Sequence, residues 1–326
     1  MRAPEFWRRA GVLPVLLGPA ALAFDLAGRA RRAVARPFRA PIPVLCAGNL
    51  VAGGAGKTPV AIALARRLIE RRRKPHILTR GYGGTASGPL QVDPRRHDAD
   101  EVGDEPLLLA RVAPCWVARD RAAGARAAVA AGADSIVMDD GLQNPSLEKD
   151  LSLIVIDGGY GFGNGRVMPA GPLREPVEAG LARADAVVLV GDDETGIARR
   201  LDGALPILRA RLVPEDGAED IAGREVVAFA GIGRPAKFFR TLAELGCRVV
   251  ATASFPDHHR YAPDEVMRLI EAAVGRGAVL VTTAKDQVRL PPEARGMARV
   301  LEVGIAWESP AEIDALMSKA LGAGHG

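Results

Sequence analysis

The sequence predicts an α/β protein: a mostly parallel sheet with helices on both faces, then a second, smaller α/β unit, with an apolar helix ahead of both. Three observations carry this. Short apolar runs such as VLCAGNL, SIVMDD, LSLIVID and ADAVVLVG alternate with stretches of helical spacing, the pattern of strands covered on both faces. A glycine-rich turn, GNLVAGGAGKTP at 48–59, joins the first run to an Ala/Leu-rich helix. After a polar stretch at 204–223 the same alternation starts again.

From Pro41 onward each element follows from its residues. VLCAGNL (44–50) reads as a buried strand feeding the glycine turn. PVAIALARRLIERRR (59–73) has apolar residues at helical spacing, and its basic last turn suits the helix dipole. Pro59 near its start removes only an N–H that would lack a partner there. A strand HILTR (76–80), the loop GYGGTASGP, a short strand VAPCWVA (112–118) and an Ala-rich helix at 120–131 follow. Strands at 135–140, 151–157 and 184–191 complete the first unit. Residues 204–223, polar with Pro and Gly, read as the inter-domain connection. Beyond it come a strand at 226–231, helix 235–245, strand 248–253, helix 263–274, strands at 278–284 and 299–305, and a last helix at 310–321. The expected organisation is an N-terminal segment (1–40), a core domain (41–205) and a C-terminal α/β domain (206–326), whose last helix can pack back on the core. A chain of 326 residues is long enough for two cores.

Composition narrows the function classes. Aromatic residues make up 4%, which argues against base stacking on single-stranded nucleic acid. Of the net charge of +4, residues 1–40 hold +6, with eight arginines against Glu5 and Asp25, so the rest of the chain sums to −2. No broad basic surface for nucleic acid is expected. The three cysteines, Cys46, Cys115 and Cys247, have no metal-ligand spacing and read as thiols in a reducing compartment.

The apolar run Ala10 to Phe24 is about 15 residues with Pro14 and Pro19 inside it. Spanning a bilayer takes roughly 20 apolar residues. Three readings stay open from the segment itself. Arg8, Arg9 and Ala21-Leu22-Ala23 fit a cleaved signal peptide; the run also fits a plain docking helix, or an interfacial helix with arginines on anionic head groups.

The chemistry-bearing residues sit at strand ends. Gly53-Gly54-Ala55-Gly56-Lys57-Thr58, between a strand and a helix, has the context of a P-loop. Successive backbone N–H groups can wrap a phosphate, Lys57 can reach the β and γ oxygens, and the Thr58 hydroxyl can ligate Mg²⁺. Val51 replaces the usual first glycine, while Gly53 and Gly54 supply flexibility next to the phosphates. The first unit is therefore read as a P-loop NTPase-type sheet. IVMDD ends a strand in Asp139 and Asp140, where such enzymes hold Mg²⁺. GDEP places Asp104 and Glu105 ahead of an apolar helix, as a cap or as a base and metal ligand. In the second unit, FPDHHRY (Asp257, His258), TTAKD and GIGRP lie at the carboxyl edge of the predicted sheet, where α/β proteins place ligands. The segment 164–176, rich in Gly and Pro, carries Arg166 and Arg174, suited to a phosphorylated acceptor.

Together, GNLVAGGAGKTP, RGYGG (80–84), GDEP, DDGLQN (139–144), NGRVMPAGPLREP, AFAGIGRP, FPDHH and TAKD resemble the tetraacyldisaccharide 4′-kinases in order and spacing, over essentially the whole chain. The resemblance implies ATP- and Mg²⁺-dependent phosphorylation of the 4′-hydroxyl of a tetraacyl glucosamine disaccharide 1-phosphate in lipid A biosynthesis. It implies a monomer at the cytoplasmic face of the inner membrane, peripheral or monotopic, with the N-terminal segment as an interfacial helix. By position, it implies that Gly53 to Thr58 hold the nucleotide, with Thr58, Asp139, Glu105 and Asp140 at the metal. Asp104 is implied as general base, with His258 assisting it and Asp257 alongside. Gln143, Asn164, Arg166, Arg174, Arg80 and Arg121 are implied at the acceptor. Ala284 stands where many members carry an acid, and Arg234 where many carry Asn. Because His258 belongs to the second unit, the site is expected in a cleft between the two.

Three other classes lack their signatures. A GTPase needs an N-K-x-D reader, whereas Lys285 and Asp286 are adjacent with no Asn before them. A partitioning-type ATPase needs a lysine at the position of Ala52. A membrane-associated interaction protein has no use for converging strand-end motifs.

Overall fold

The computed structural model describes residues 4–9, 11–201, 203–215 and 217–322. Two helices, α1 (Val12–Leu16) and α2 (Gly18–Ala33), lead into β1 (Val44–Gly48). Then come α3 (Lys57–Glu70), β2 (Pro75–Thr79), β3 (Leu90–Gln91), α4 (Ala99–Val102) and α5 (Asp104–Leu109). The first unit goes on through β4 (Cys115–Val117), α6 (Arg121–Ala130), β5 (Ser135–Asp139) and β6 (Leu151–Asp157). It continues with α7 (Val177–Leu181), β7 (Ala186–Val190), α8 (Ile197–Arg200) and β8 (Ile207–Pro214). The second comprises β9 (Glu225–Ala230), α9 (Pro235–Glu244), β10 (Arg248–Ser254), α10 (Pro263–Val274), β11 (Val279–Thr283), α11 (Ala284–Gln287) and β12 (Arg299–Leu301). The chain ends with β13 (Val303–Trp307) and α12 (Pro310–Gly322).

The first sheet has nine strands in the order β13-β8-β7-β6-β1-β5-β2-β4-β3, parallel except at its two edges. From β1 the chain winds outward through β2 and β4, and from β6 it winds the other way through β7 and β8. The loop after β1 therefore opens at the topological switch point, where the crossover helices diverge and leave a crevice. Register places Asp139 beside Ala47, so the acid-ended strand finishes next to the glycine turn.

The second sheet has four strands, β10-β9-β11-β12, all parallel. Its two faces are filled separately, by Phe238 and Leu242 from α9 and by Val266 and Leu269 from α10.

Three expectations need correcting. The stretch 204–223 is not only a connection, because it contains β8, a strand of the large sheet. In β8, Leu208 and Ala210 are buried while Arg209 and Arg211 are exposed, so the two-residue period of a half-covered strand disguised it as a polar segment. The boundary expected at 205/206 thus falls one strand too early. The strand expected at 299–305 is two: β12 completes the small sheet, and β13 returns to the large one, antiparallel to β8. The chain crosses between sheets at Glu302, which one-dimensional hydropathy cannot show. The loop GYGGTASGP is followed by the edge strand β3, antiparallel to β4. The last helix does pack on the first sheet, where Ile313, Met317 and Ala320 join the core cluster of Val60, Leu64 and Leu68.

Candidate active site

The phosphate loop is shaped by two glycines. Gly53 (φ +111°) and Gly56 (φ +86°) both hold left-handed backbone, which a β-carbon would strain. Gly56 caps α3, so the helix begins on Lys57. Val51, in the place of the usual first glycine, is buried; its backbone bridges Leu173 and its side chain packs with Leu50 and Leu173. Asn49, buried behind the loop, donates from Nδ2 to the Val51 carbonyl at 2.8 Å and accepts from Lys57 Nζ on Oδ1 at 3.2 Å.

The acids divide into distinct roles. Thr58 Oγ1 donates to Asp139 Oδ2 at 3.0 Å, and the buried Asp139 Oδ1 has no hydrogen-bond partner among the described residues. Burial, then the negative charge of Glu105, pushes the Asp139 carboxyl up to about 7. A buried carboxylate with one oxygen orphaned beside a threonine hydroxyl fits a divalent cation, which would restore it to the ionised state. Among the described residues no group of three or more His, Cys, Asp or Glu side chains forms a metal site by itself. Asp140, in left-handed backbone at φ +57°, turns to Lys57 (3.4 Å) and Arg174 (2.7 Å). Burial alone would raise its carboxyl, but those two cations outweigh burial and hold it at about 2.

The second sheet meets the first across this crevice. Asp104, at the start of α5 and almost fully buried, accepts on Oδ2 from Arg289 Nε at 2.9 Å and contacts His258 Nδ1 at 3.0 Å. Burial opposes its ionisation, yet His258, Lys285 and Arg289 together hold it well below the usual carboxylate range. The hydrogen bond to Asp104 in turn raises His258, which sits in left-handed backbone at φ +58°. Asp257 lies 3.9 Å from His258 Nε2 and accepts from the His258 backbone N–H. Lys285 Nζ pairs with Glu105 Oε1 at 2.5 Å; burial favours a neutral lysine, but the Glu105 charge overrides it and raises the lysine. Arg234, contributed by the GIGRP loop, donates to the Gly54 carbonyl at 2.8 Å and pairs with Asp157 at 2.9 Å.

The remaining predicted residues separate. Gln143 donates to the Asn49 carbonyl and to Glu175, both at 2.9 Å, and so sits against the phosphate loop. Arg174 joins the same cluster through Asp140. Arg121 is buried 3% exposed, with Nε unpartnered, and burial lowers it to about 10. Arg80 and Arg166 are exposed. Asn164 spends both amide hydrogens on the Phe6 and Ala170 carbonyls, tying the N-terminal segment to this loop. Sequence reasoning passed over Asn49, Asp157, Glu175 and Arg289, and it quoted Lys285 without a role. Arg289 had one signal, its place one helical turn after Asp286.

Backbone amides presented at the switch point of a parallel sheet, beside an acid-ended strand, place the protein in the P-loop NTPase class. Likeness to known proteins narrows the class. The family model described as tetraacyldisaccharide-1-P 4′-kinase matches residues 13–322, and the chain belongs to that family. A tetraacyldisaccharide 4′-kinase of Rhodospirillum centenum is 58% identical, covering 98% of this chain and 97% of its own. That of Gluconacetobacter diazotrophicus is 60% identical, covering 95% of each. The crystal structure of LpxK from Aquifex aeolicus in complex with ATP matches with a TM-score of 0.76 at 26% identity, covering 95% of this chain and all of the other.

Proposed function

We propose that this protein transfers the γ-phosphoryl group of ATP to the 4′-hydroxyl of a tetraacyldisaccharide 1-phosphate, the step of lipid A biosynthesis for which its relatives are named. The observation that carries the mechanism is the meeting of Asp104, His258 and Arg289 in the crevice that also holds Lys57 and Thr58. Phosphoryl transfer asks little covalent chemistry of a protein and much positioning. The loop amides and Lys57 hold the β and γ phosphates, and Arg174 is near enough to share their charge through Asp140.

Thr58 and Asp139 would hold Mg²⁺, with Glu105 and Asp140 near it; the ion would neutralise charge that builds on the transferring group. Asp104 takes the acceptor hydroxyl. A carboxylate accepts at about four lone-pair positions, and among the described residues Oδ1 carries only the adjacent Glu105 N–H, so room remains for a sugar hydroxyl. His258, Lys285 and Arg289 keep Asp104 ionised, so it can orient the hydroxyl and accept its proton as transfer proceeds. His258 fixes Asp104, with Asp257 beside it. Arg80, Arg121, Arg166 and Gln143 are offered to the acceptor side, whereas Asn164 is taken up by the Phe6 and Ala170 carbonyls. The core and the second domain act as base and lid, within a monomer.

The N-terminal helices supply the membrane contact in this reading. Val12, Val15, Leu16, Leu22 and Leu26 are exposed, as are Arg29 and Arg31. Among the described residues no helix is long and apolar enough to cross a membrane. An apolar face flanked by arginines suits the interfacial plane of an anionic leaflet, here the cytoplasmic face of the inner membrane.

Incubation with ATP, Mg²⁺ and the disaccharide 1-phosphate in mixed micelles tests the reading. A second phosphate on the lipid is expected, absent in Lys57→Ala. ATP consumption with no lipid phosphorylation would overturn it.

A further inference from the structure

We propose that a cavity on the core sheet, between the end of α2 and the segment 142–149, grips the phosphate already carried by the lipid acceptor through Arg32, Lys149 and Arg183. This rests on the acceptor reading above and adds to it a second anion site.

The cavity has a volume of about 320 Å³, and its polar lining is these three cations together with Gln143, Asn144, Ser152 and one acid, Glu148. That is the size of a small-ligand pocket. Its charges do not cancel. Arg183 forks onto the buried Glu175 at 2.7 Å to each oxygen, and Arg32 reaches the same carboxylate at 3.4 Å. Lys149 donates to the neutral Asn144 carbonyl at 2.6 Å, and the neighbouring Glu148 is taken by Arg39 at 3.0 Å. The lining thus holds three cations and one acid, Glu148, which is paired with Arg39; Arg32 and Arg183 share the buried Glu175, and among the described residues Lys149 reaches only a carbonyl. Burial lowers Lys149, with the Arg183 and Arg121 charges adding to it and Glu175 opposing only in part. Cations left in that state favour an anionic ligand.

Gln143 ties this cavity to the phosphate loop. Its amide donates both to Glu175 and to the Asn49 carbonyl, and the Asn49 side chain accepts from Lys57. Two anion-seeking clusters therefore share one wall, as suits a sugar lipid that reacts at one end and bears a phosphate at the other. Val34, the chain neighbour of the cavity-lining Ala35, is 80% exposed, and α2 before it carries the exposed Leu22 and Leu26 on which acyl chains can lie.

Lys149→Met tests this, because it removes the charge and leaves the Glu175 pairs intact. Wild type and variant are compared in neutral-detergent micelles with acceptor bearing or lacking the 1-phosphate. The expected result is a KM for the phosphorylated acceptor raised about 10-fold or more, with kcat within about twofold. With the acceptor lacking that phosphate the two proteins should match. Arg32→Gln should repeat the pattern and guards against a folding defect in one variant. An unchanged KM, or the same penalty on the acceptor without phosphate, overturns the proposal. Loss of binding to phosphatidylglycerol vesicles with KM unchanged also overturns it, assigning the cavity to a bystander lipid. If wild type makes no product at all, the acceptor reading fails first and takes this inference with it.

Discussion

Arg289→Met probes how the second sheet holds Asp104. Arg289 and Asp104 are each 3% exposed at the side chain; Nε donates to Asp104 Oδ2 at 2.9 Å, and Nη2 lies 2.8 Å from the same oxygen without hydrogen-bonding to it. Arg289 also donates to the Gly231 carbonyl at 2.7 Å. Removing one partner of a buried ion pair costs about 3–5 kcal/mol, because the other charge stays desolvated. His258 and the Glu105 N–H still serve Asp104, which favours the lower end, while losing the Gly231 bond adds about 1 kcal/mol. Asp286, also touched by Arg289, keeps donors from Gly231, Tyr261 and Thr283 and adds little. The expected loss is about 4 kcal/mol in Arg289→Met. In a cycle with Asp104→Asn the coupling should be about 2 kcal/mol. Urea unfolding of the four proteins measures it, using conditions where two probes report the same transition. Arg289→Lys should not rescue, since an ammonium cannot reach Asp104 and the Gly231 carbonyl at once as Nε and Nη1 of the guanidinium do. A coupling below about 0.5 kcal/mol would refute the reasoning and leave Arg289 as packing alone.

Val51→Gly, which would restore the usual loop consensus, should lower stability by about 1–3 kcal/mol by losing a buried side chain and adding backbone freedom. ATP affinity should not improve; tighter ATP binding by calorimetry would mean that Val51 distorts the loop. His258 is raised by Asp104, so the stabilisation from their pair is complete below the ordinary histidine value of 6.5 and fades as pH rises through the raised one. Asp104 is depressed, so its share is present above the ordinary carboxylate range and is lost only on acidification. Melting curves from mildly acidic to alkaline pH should therefore show a fall in wild type that His258→Asn lacks; parallel curves would contradict the pairing. Leu22→Glu with Leu26→Glu, one helical turn apart on exposed positions, should cut the membrane-bound fraction at least about 10-fold in vesicle sedimentation. An unchanged fraction would show that α2 only packs on the core.

The strands of the large sheet were legible because each is buried on both faces and so reads as an apolar run; β5, β6 and β7 are buried at every position. Strands exposed on one face were harder. β8 carries an arginine at alternate positions, and the break between β12 and β13 is a change of sheet within one apolar stretch. Asn164, expected at the acceptor, is occupied in joining two remote segments, a task that only appears when Phe6 and Ala170 are seen beside it.

By itself the sequence determined the class of chemistry. A glycine turn between strand and helix, an acid at the next strand end and the order of the remaining motifs are local patterns, set by backbone conformation and by which side chains phosphate and metal demand. What only the tertiary structure decided is which charges meet. Lys285 with Glu105, Arg289 and His258 with Asp104, and Arg234 with the loop carbonyl join residues of the second sheet to the first across gaps of at least 154 in the chain. The physical reason is that burial and Coulomb energy depend on distance in space. The same carboxyl side chain is driven up at Asp139 and down at Asp104 by neighbours that no spacing rule relates to it.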